Sequence, residues 1–258
     1  MLATVILAIN SAAVSAHEFW LEPTQFVAPS GSEVGFEIRI GQYFNGRHYP
    51  FIQGETEQFF KRTELGREEI EALNGDKPAV KLELKGPASW VAYESTNFNI
   101  RFRDTEKFFS YLNEEGLEWV VDWYDKQAKS PKDATETYYR HAKALSWSGP
   151  DEPNWLSEPL GMRLELVPDS GFLQCQQPAR YRVLYQSEPL KGHLVRRFRK
   201  GTDVVEQIRS DAQGYVEFPA SEGPFLVNVV RIDDANNPRA KGKDWVSDWG
   251  SLTYACAN

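Results

Sequence analysis

The sequence predicts a mainly β protein. An N-terminal β-rich domain carrying a helical insertion comes first, and a small β-sandwich of the immunoglobulin or transthyretin type follows. Three observations predict this. Val34, Phe36, Ile38 and Ile40 alternate with Gly35, Glu37 and Arg39, the period-2 pattern of a half-buried strand. After residue 160, seven short apolar runs are separated by turn clusters such as Asp211-Ala212-Gln213-Gly214 and Glu222-Gly223-Pro224. Between them, from Asp104 to Gln127, Phe108, Leu112, Leu117, Val120, Val121 and Tyr124 recur at helical spacing. Hydrophobic residues make up 41% of the 258 positions and aromatics 13%, enough for a packed core and against disorder.

Taken in order, Glu18–Glu22 is an aromatic-rich strand closed by Pro23, and Pro29-Ser30-Gly31 turns the chain into the strand at 34–40. A loop, Gly41 to Gly46, leads on to His48. Glu64–Leu73 reads as a short helix or a solvated turn. Strands follow at 80–84, 90–93 and 97–102. Asp104 is the N-cap candidate of the first helix, Gly116 interrupts the helical pattern, and Ser130-Pro131 ends it. A further helix is expected from Asp133 through Tyr139 into His141, leaving 142–147 extended. Gly149-Pro150-Asp151-Glu152-Pro153 is the linker candidate, which divides the chain into domains 17–159 and 160–258. The seven strands after it are expected at 162–167, 179–185, 193–200, 204–210, 215–218, 225–232 and 249–254.

Residues 1–16 read as a secretory signal peptide. An apolar run is followed by small residues, with Val14 and Ala16 at the positions a signal peptidase reads. Cleavage after Ala16 exposes His17 as the first residue. A terminal histidine offers an α-amine and an imidazole Nδ1 that close a chelate ring on one metal ion, and both lose protons near neutral pH. Such a nitrogen pair suits nickel, cobalt, copper and zinc. In an oxidising compartment the two cysteines, Cys175 and Cys256, most simply form one disulfide; the alternative is two unpaired thiols. No run of 18 apolar residues follows the signal, so no transmembrane segment is expected. Residues 17–159 hold 16 Lys+Arg against 25 Asp+Glu, and 160–258 hold 13 against 12. An acidic first half argues against nucleic acid as a partner.

Several phrases in order along the chain resemble one bacterial family, the domain-of-unknown-function family 4198. They are Ala16-His17-Glu18-Phe19-Trp20-Leu21-Glu22-Pro23, the 109–117 stretch FSYLNEEGL, the 138–145 stretch YYRHAKAL, and Leu160 to Pro168. The 185–192 stretch YQSEPLKG, Asp211 to Gly214, and Asp244-Trp245-Val246-Ser247-Asp248-Trp249 complete the set. The resemblance implies a periplasmic protein with a C-terminal sandwich like carboxypeptidase regulatory domains. It also implies association with nickel or cobalt uptake systems; an outer-membrane receptor or metal transporter is the expected partner.

The candidate metal ligands are therefore His17, His141, His48 and Glu18. His141 leads the partner imidazoles because it lies in a matching family phrase, His48 stands in a loop next to the first strands, and His193 ranks last. Glu18 adds an oxygen donor. Trp119, Trp123, Tyr124, Tyr138, Tyr139, Trp147 and Trp155 read as packing between helix and sheet, with a sugar or cofactor groove as the alternative. No serine-hydrolase elbow, P-loop or dinucleotide fingerprint is present, so a non-catalytic protein is expected. Two other readings stand beside metal capture: an envelope interaction scaffold, and a copper mono-oxygenase built on a histidine brace.

Overall fold

The computed structural model describes residues 17–149 and 152–257. The expected signal peptide lies outside these residues. A nine-stranded sheet forms the middle of three layers. Its strand order is Val205–Arg209, Leu194–Arg199, Pro224–Asp234, Trp245–Ala255, Ala134–Trp147, Ala88–Ser95, Thr56–Thr63 and Gly66–Glu69, with Phe98–Phe102 also paired to Ala134–Trp147. All neighbours run antiparallel except Trp245–Ala255 and Ala134–Trp147, which pair in parallel from Trp245 opposite Glu136 to Thr253 opposite Ala144. The sheet thus carries strands from both sides of the linker candidate. The other edge of Ala134–Trp147 is shared: Phe98–Phe102 covers its first half and Ala88–Ser95 its second.

One face of this sheet is covered by a four-stranded sheet of Glu18–Pro23, Glu33–Gln42, Asn45–Tyr49 and Val80–Glu83. Phe19, Leu21, Phe36 and Ile38 pack there against Val91, Tyr93, Ala142 and Ala144. Two helices, α1 (Thr105–Glu114) and α2 (Glu118–Gln127), cover the rest of that face, burying Phe108, Leu112 and Val120 against Val230, Ile232 and Trp245. Asp104 caps α1, its side chain accepting from the N–H groups of Glu106 and Lys107 at 3.0 and 3.2 Å. Gly116 separates the helices at φ +70, and a Cβ there would stand 2.5 Å from Leu194 Cβ, so only glycine fits.

The opposite face is covered by Leu164–Ser170, Ala179–Tyr185, Glu188–Pro189 and Tyr215–Phe218. Leu164, Leu166, Tyr181 and Val183 meet Trp90, Leu145, Val227, Leu252 and Tyr254 in the largest core. Strands occur at all seven places expected after the linker; Ala179–Tyr185 and Tyr215–Phe218 have the expected ends and the other five are shifted. Cys175 and Cys256 form the disulfide, with Cα atoms 5.1 Å apart across 81 residues. In the loop-entropy model a closure of that length contributes about 4.5 kcal/mol. No helix among the described residues is long and apolar enough to cross a membrane.

Two local expectations are corrected. Residues 133–141 are not helical: Ala134–Trp147 is one long strand. It sits mid-sheet with both faces covered, so it lacks the apolar–polar alternation that marks a half-exposed strand. The 64–73 segment holds a short strand, Gly66–Glu69, rather than a helix.

Candidate functional site

Successive side chains of a strand point to opposite faces, and the strand Ala134–Trp147 uses this to bury different polar groups on its two faces. Toward the helices it presents Glu136, whose Oε1 accepts from Tyr111 at 3.4 Å and from Ser247. Oε2 of Glu136 is buried with no hydrogen-bond partner. Burial pushes this carboxyl up to about 7, against the opposing effect of the Ser247 and Tyr111 hydrogen bonds. Toward the other face it presents Tyr139, His141 and Lys143. Lys143 pairs with Glu165 at 2.7 Å, both almost fully buried, and Glu165 also accepts from the N–H groups of Leu160 and Gly161.

His141, 3% exposed, lies between two carboxylates. Its Nδ1 stands 2.7 Å from Glu94 Oε1 and its Nε2 2.9 Å from Asp248 Oδ1. A neutral imidazole can donate from only one nitrogen, so two ionised acceptors favour the imidazolium. Burial alone would lower its pKa, but Asp248 and Glu94 outweigh burial and raise it. The same contacts overcome burial at Asp248, and with Arg239 they hold that carboxyl far below its usual range; Glu94 is lowered as well. Arg239 forks onto Asp248 with two contacts of 2.7 Å and lies 3.9 Å over the Tyr139 ring. Glu94 Oε1 also accepts from the Arg163 main-chain N–H at 2.9 Å.

Glu94, Tyr139, His141 and Arg239 line a cleft of about 320 Å³, together with Glu57, Arg163, Gln186 and Ser187. Gln186 and Ser187 are the two central residues of the turn joining Ala179–Tyr185 to Glu188–Pro189, with φ of 52° and 68°. That hairpin geometry favours Asn-Gly, and two side chains with a Cβ are strained in it.

The sequence-predicted donors are scattered. His17 immediately precedes the strand Glu18–Pro23, on the face of the central sheet opposite to His141, so the sheet separates these two imidazoles. His48 is on the strand Asn45–Tyr49 rather than in a loop; it is about half exposed, with Nδ1 3.5 Å from Glu37 Oε2. His48 pairs with Arg39, which pairs with Trp20, so it lies two strands away from the first strand. Glu18 is buried beside Arg196, whose Nη2 also pairs with Glu115, and Glu18 Oε2 has no hydrogen-bond partner. Burial raises Glu18 and pushes Glu115 up to about 7, with Arg196 opposing at both. The carboxylates on His141 sit at opposite ring edges and do not converge. Among the described residues no three His, Cys, Asp or Glu side chains converge as a cation site.

Most of the aromatic set packs. Trp119, Trp123 and Tyr124 ring Trp245, Tyr138 stacks on Phe98, and the Trp147 indole N–H donates to Ala255. Tyr139 packs with Ala240 and Val246 and also walls the cleft. Glu94, Arg163, Asp248 and Arg239 were missed in the sequence. Arg163 and Asp248 each lie within one of the family-like phrases, the one signal that could have found them. No protein of curated function matches the chain. A family model described as "Domain of unknown function (DUF4198)" matches residues 14–233, and the chain belongs to that family.

Proposed function

We propose that this chain is a non-catalytic periplasmic protein that captures a divalent transition metal ion, nickel or cobalt, for envelope uptake. Capture takes place at His17, exposed as the first residue by signal cleavage after Ala16. The observation that carries the reading is the junction itself: a small-residue cleavage pattern ends one residue before a strand, Glu18–Pro23, in which every residue is buried. A terminus at His17 is thereby held against the fold instead of trailing from it. Glu18 contributes a buried oxygen with no hydrogen-bond partner one residue away. Affinity falls between about pH 8 and 5, as the amine and the imidazole take up protons.

Calorimetric titration of the processed protein with Ni²⁺, beside a His17→Ala form, tests this. The proposal expects binding that the substitution abolishes; equal binding by both forms overturns it. Mass spectrometry of the exported chain checks that it begins at His17. Exposed apolar side chains, Leu65, Leu73 and Trp119, favour a second reading as a scaffold docking on an outer-membrane receptor or transporter. Metal-independent recovery of such a receptor in a pull-down would support it.

A further inference from the structure

The cleft beside His141 has a charge pattern that selects a ligand class. Its buried charges answer one another. Asp248 is shared by His141 and Arg239, and Glu94 is answered by His141 and by the Arg163 N–H. Two charges on the wall have no ion-pair partner among the described residues, the exposed Glu57 carboxylate and one cation. The half-buried guanidinium of Arg163 has no acid within ion-pair distance among the described residues, although its field reaches Glu94. A guanidinium presents a planar fork of N–H donors that matches a carboxylate. On the rim, the strained Gln186-Ser187 turn places an amide and a hydroxyl where a polar ligand would meet them. A volume of about 320 Å³ is at the small end for ligand pockets. Glu94 and Asp248 are already committed to His141 and Arg239, and no three His, Cys, Asp or Glu side chains among the described residues converge, so the cleft is a poor cation cage.

We infer that this cleft is a binding site for a small organic acid. The ligand carboxylate forks onto Arg163, and its hydroxyl or amide groups meet Gln186 and Ser187. The His141–Asp248–Arg239 chain positions the wall without touching the ligand's charge. The site is independent of His17 and lies on the other face of the central sheet.

The test is calorimetry on the full mature protein in metal-free buffer, with L-malate, citrate and glucose as probes. At least one of the two acids should bind, and glucose should not. Arg163→Met keeps the side-chain stem and removes the fork; it should weaken acid binding by about tenfold or more. Its circular dichroism and melting point should match the parent protein. Gln186→Ala/Ser187→Ala should weaken binding less, and His17→Ala should leave it unchanged. The inference is overturned if neither acid binds at millimolar concentration, if Arg163→Met binds as the parent does, or if glucose alone binds. Loss of acid binding in His17→Ala would also overturn it, by placing the acid at the terminus instead of in the cleft.

Discussion

Replacing Glu136 with glutamine should flatten the pH dependence of stability between about pH 4.5 and 7. This carboxyl is 2% exposed, accepts from Tyr111 and Ser247 through one oxygen, and has no cation beside it. Its pKa is pushed from 4.5 to about 7 on folding. The unfolded chain therefore releases this proton before the folded chain does. The folded state is undisturbed below about pH 4.5, loses stability as pH rises, and has lost the full amount above about pH 7. A shift of that size, at 1.36 kcal/mol per pH unit, corresponds to about 3 kcal/mol. Glutamine resembles the protonated acid: its oxygen keeps both hydrogen bonds, and its amide stands where Oε2 already lacks a partner. Glu136→Gln should thus match the parent protein near pH 4.5 and exceed it by about 3 kcal/mol at pH 8. Urea denaturation at the two pH values reads the difference directly. The double difference cancels the remaining titrating groups, including Glu115, which shifts over the same range. An unchanged pH dependence in Glu136→Gln would refute the reasoning.

Two further outcomes follow from the cleft. Asp248→Asn leaves His141 and Arg239 without their shared anion, and should cost about 3–5 kcal/mol at pH 7 by chemical denaturation. Because Asp248 is held below its usual range, its contribution is present above that range and lost as pH falls, so the deficit should shrink in acid. Gln186→Asn/Ser187→Gly supplies the residues this turn geometry favours, and should raise stability by about 1–2 kcal/mol in the same assay.

Legibility in the sequence tracked exposure. The strand Glu33–Gln42 has one face half open, so its alternation was readable from Val34 to Ile40. The strand Ala134–Trp147 is covered on both faces, and its buried Glu136, His141 and Lys143 break up the apolar run that would mark such a strand. Their presence makes sense only through partners distant in sequence: Asp248 is 107 residues from His141, and Glu165 is 22 from Lys143. Glu18 was readable as a candidate donor, but the arginine it meets is 178 residues further on. The cleft depends on the encounters of His141 with Asp248 and Glu94 and of Glu94 with Arg163, 107, 47 and 69 residues apart, and on a turn whose residues look ordinary. Neither periodicity nor spacing could reveal it. The disulfide was legible because two cysteines allow one pairing.

The parallel contact between Ala134–Trp147 and Trp245–Ala255 has a consequence for biosynthesis. A nascent chain that has produced everything up to residue 240 still lacks the piece that joins the two wings of its largest sheet. Until that last segment arrives, Pro224–Asp234 and Ala134–Trp147 each present a row of unsatisfied amide and carbonyl groups, open to pairing with another molecule. A premature stop that removes fewer than twenty residues would therefore leave two sticky half-proteins on one chain rather than a slightly shortened one.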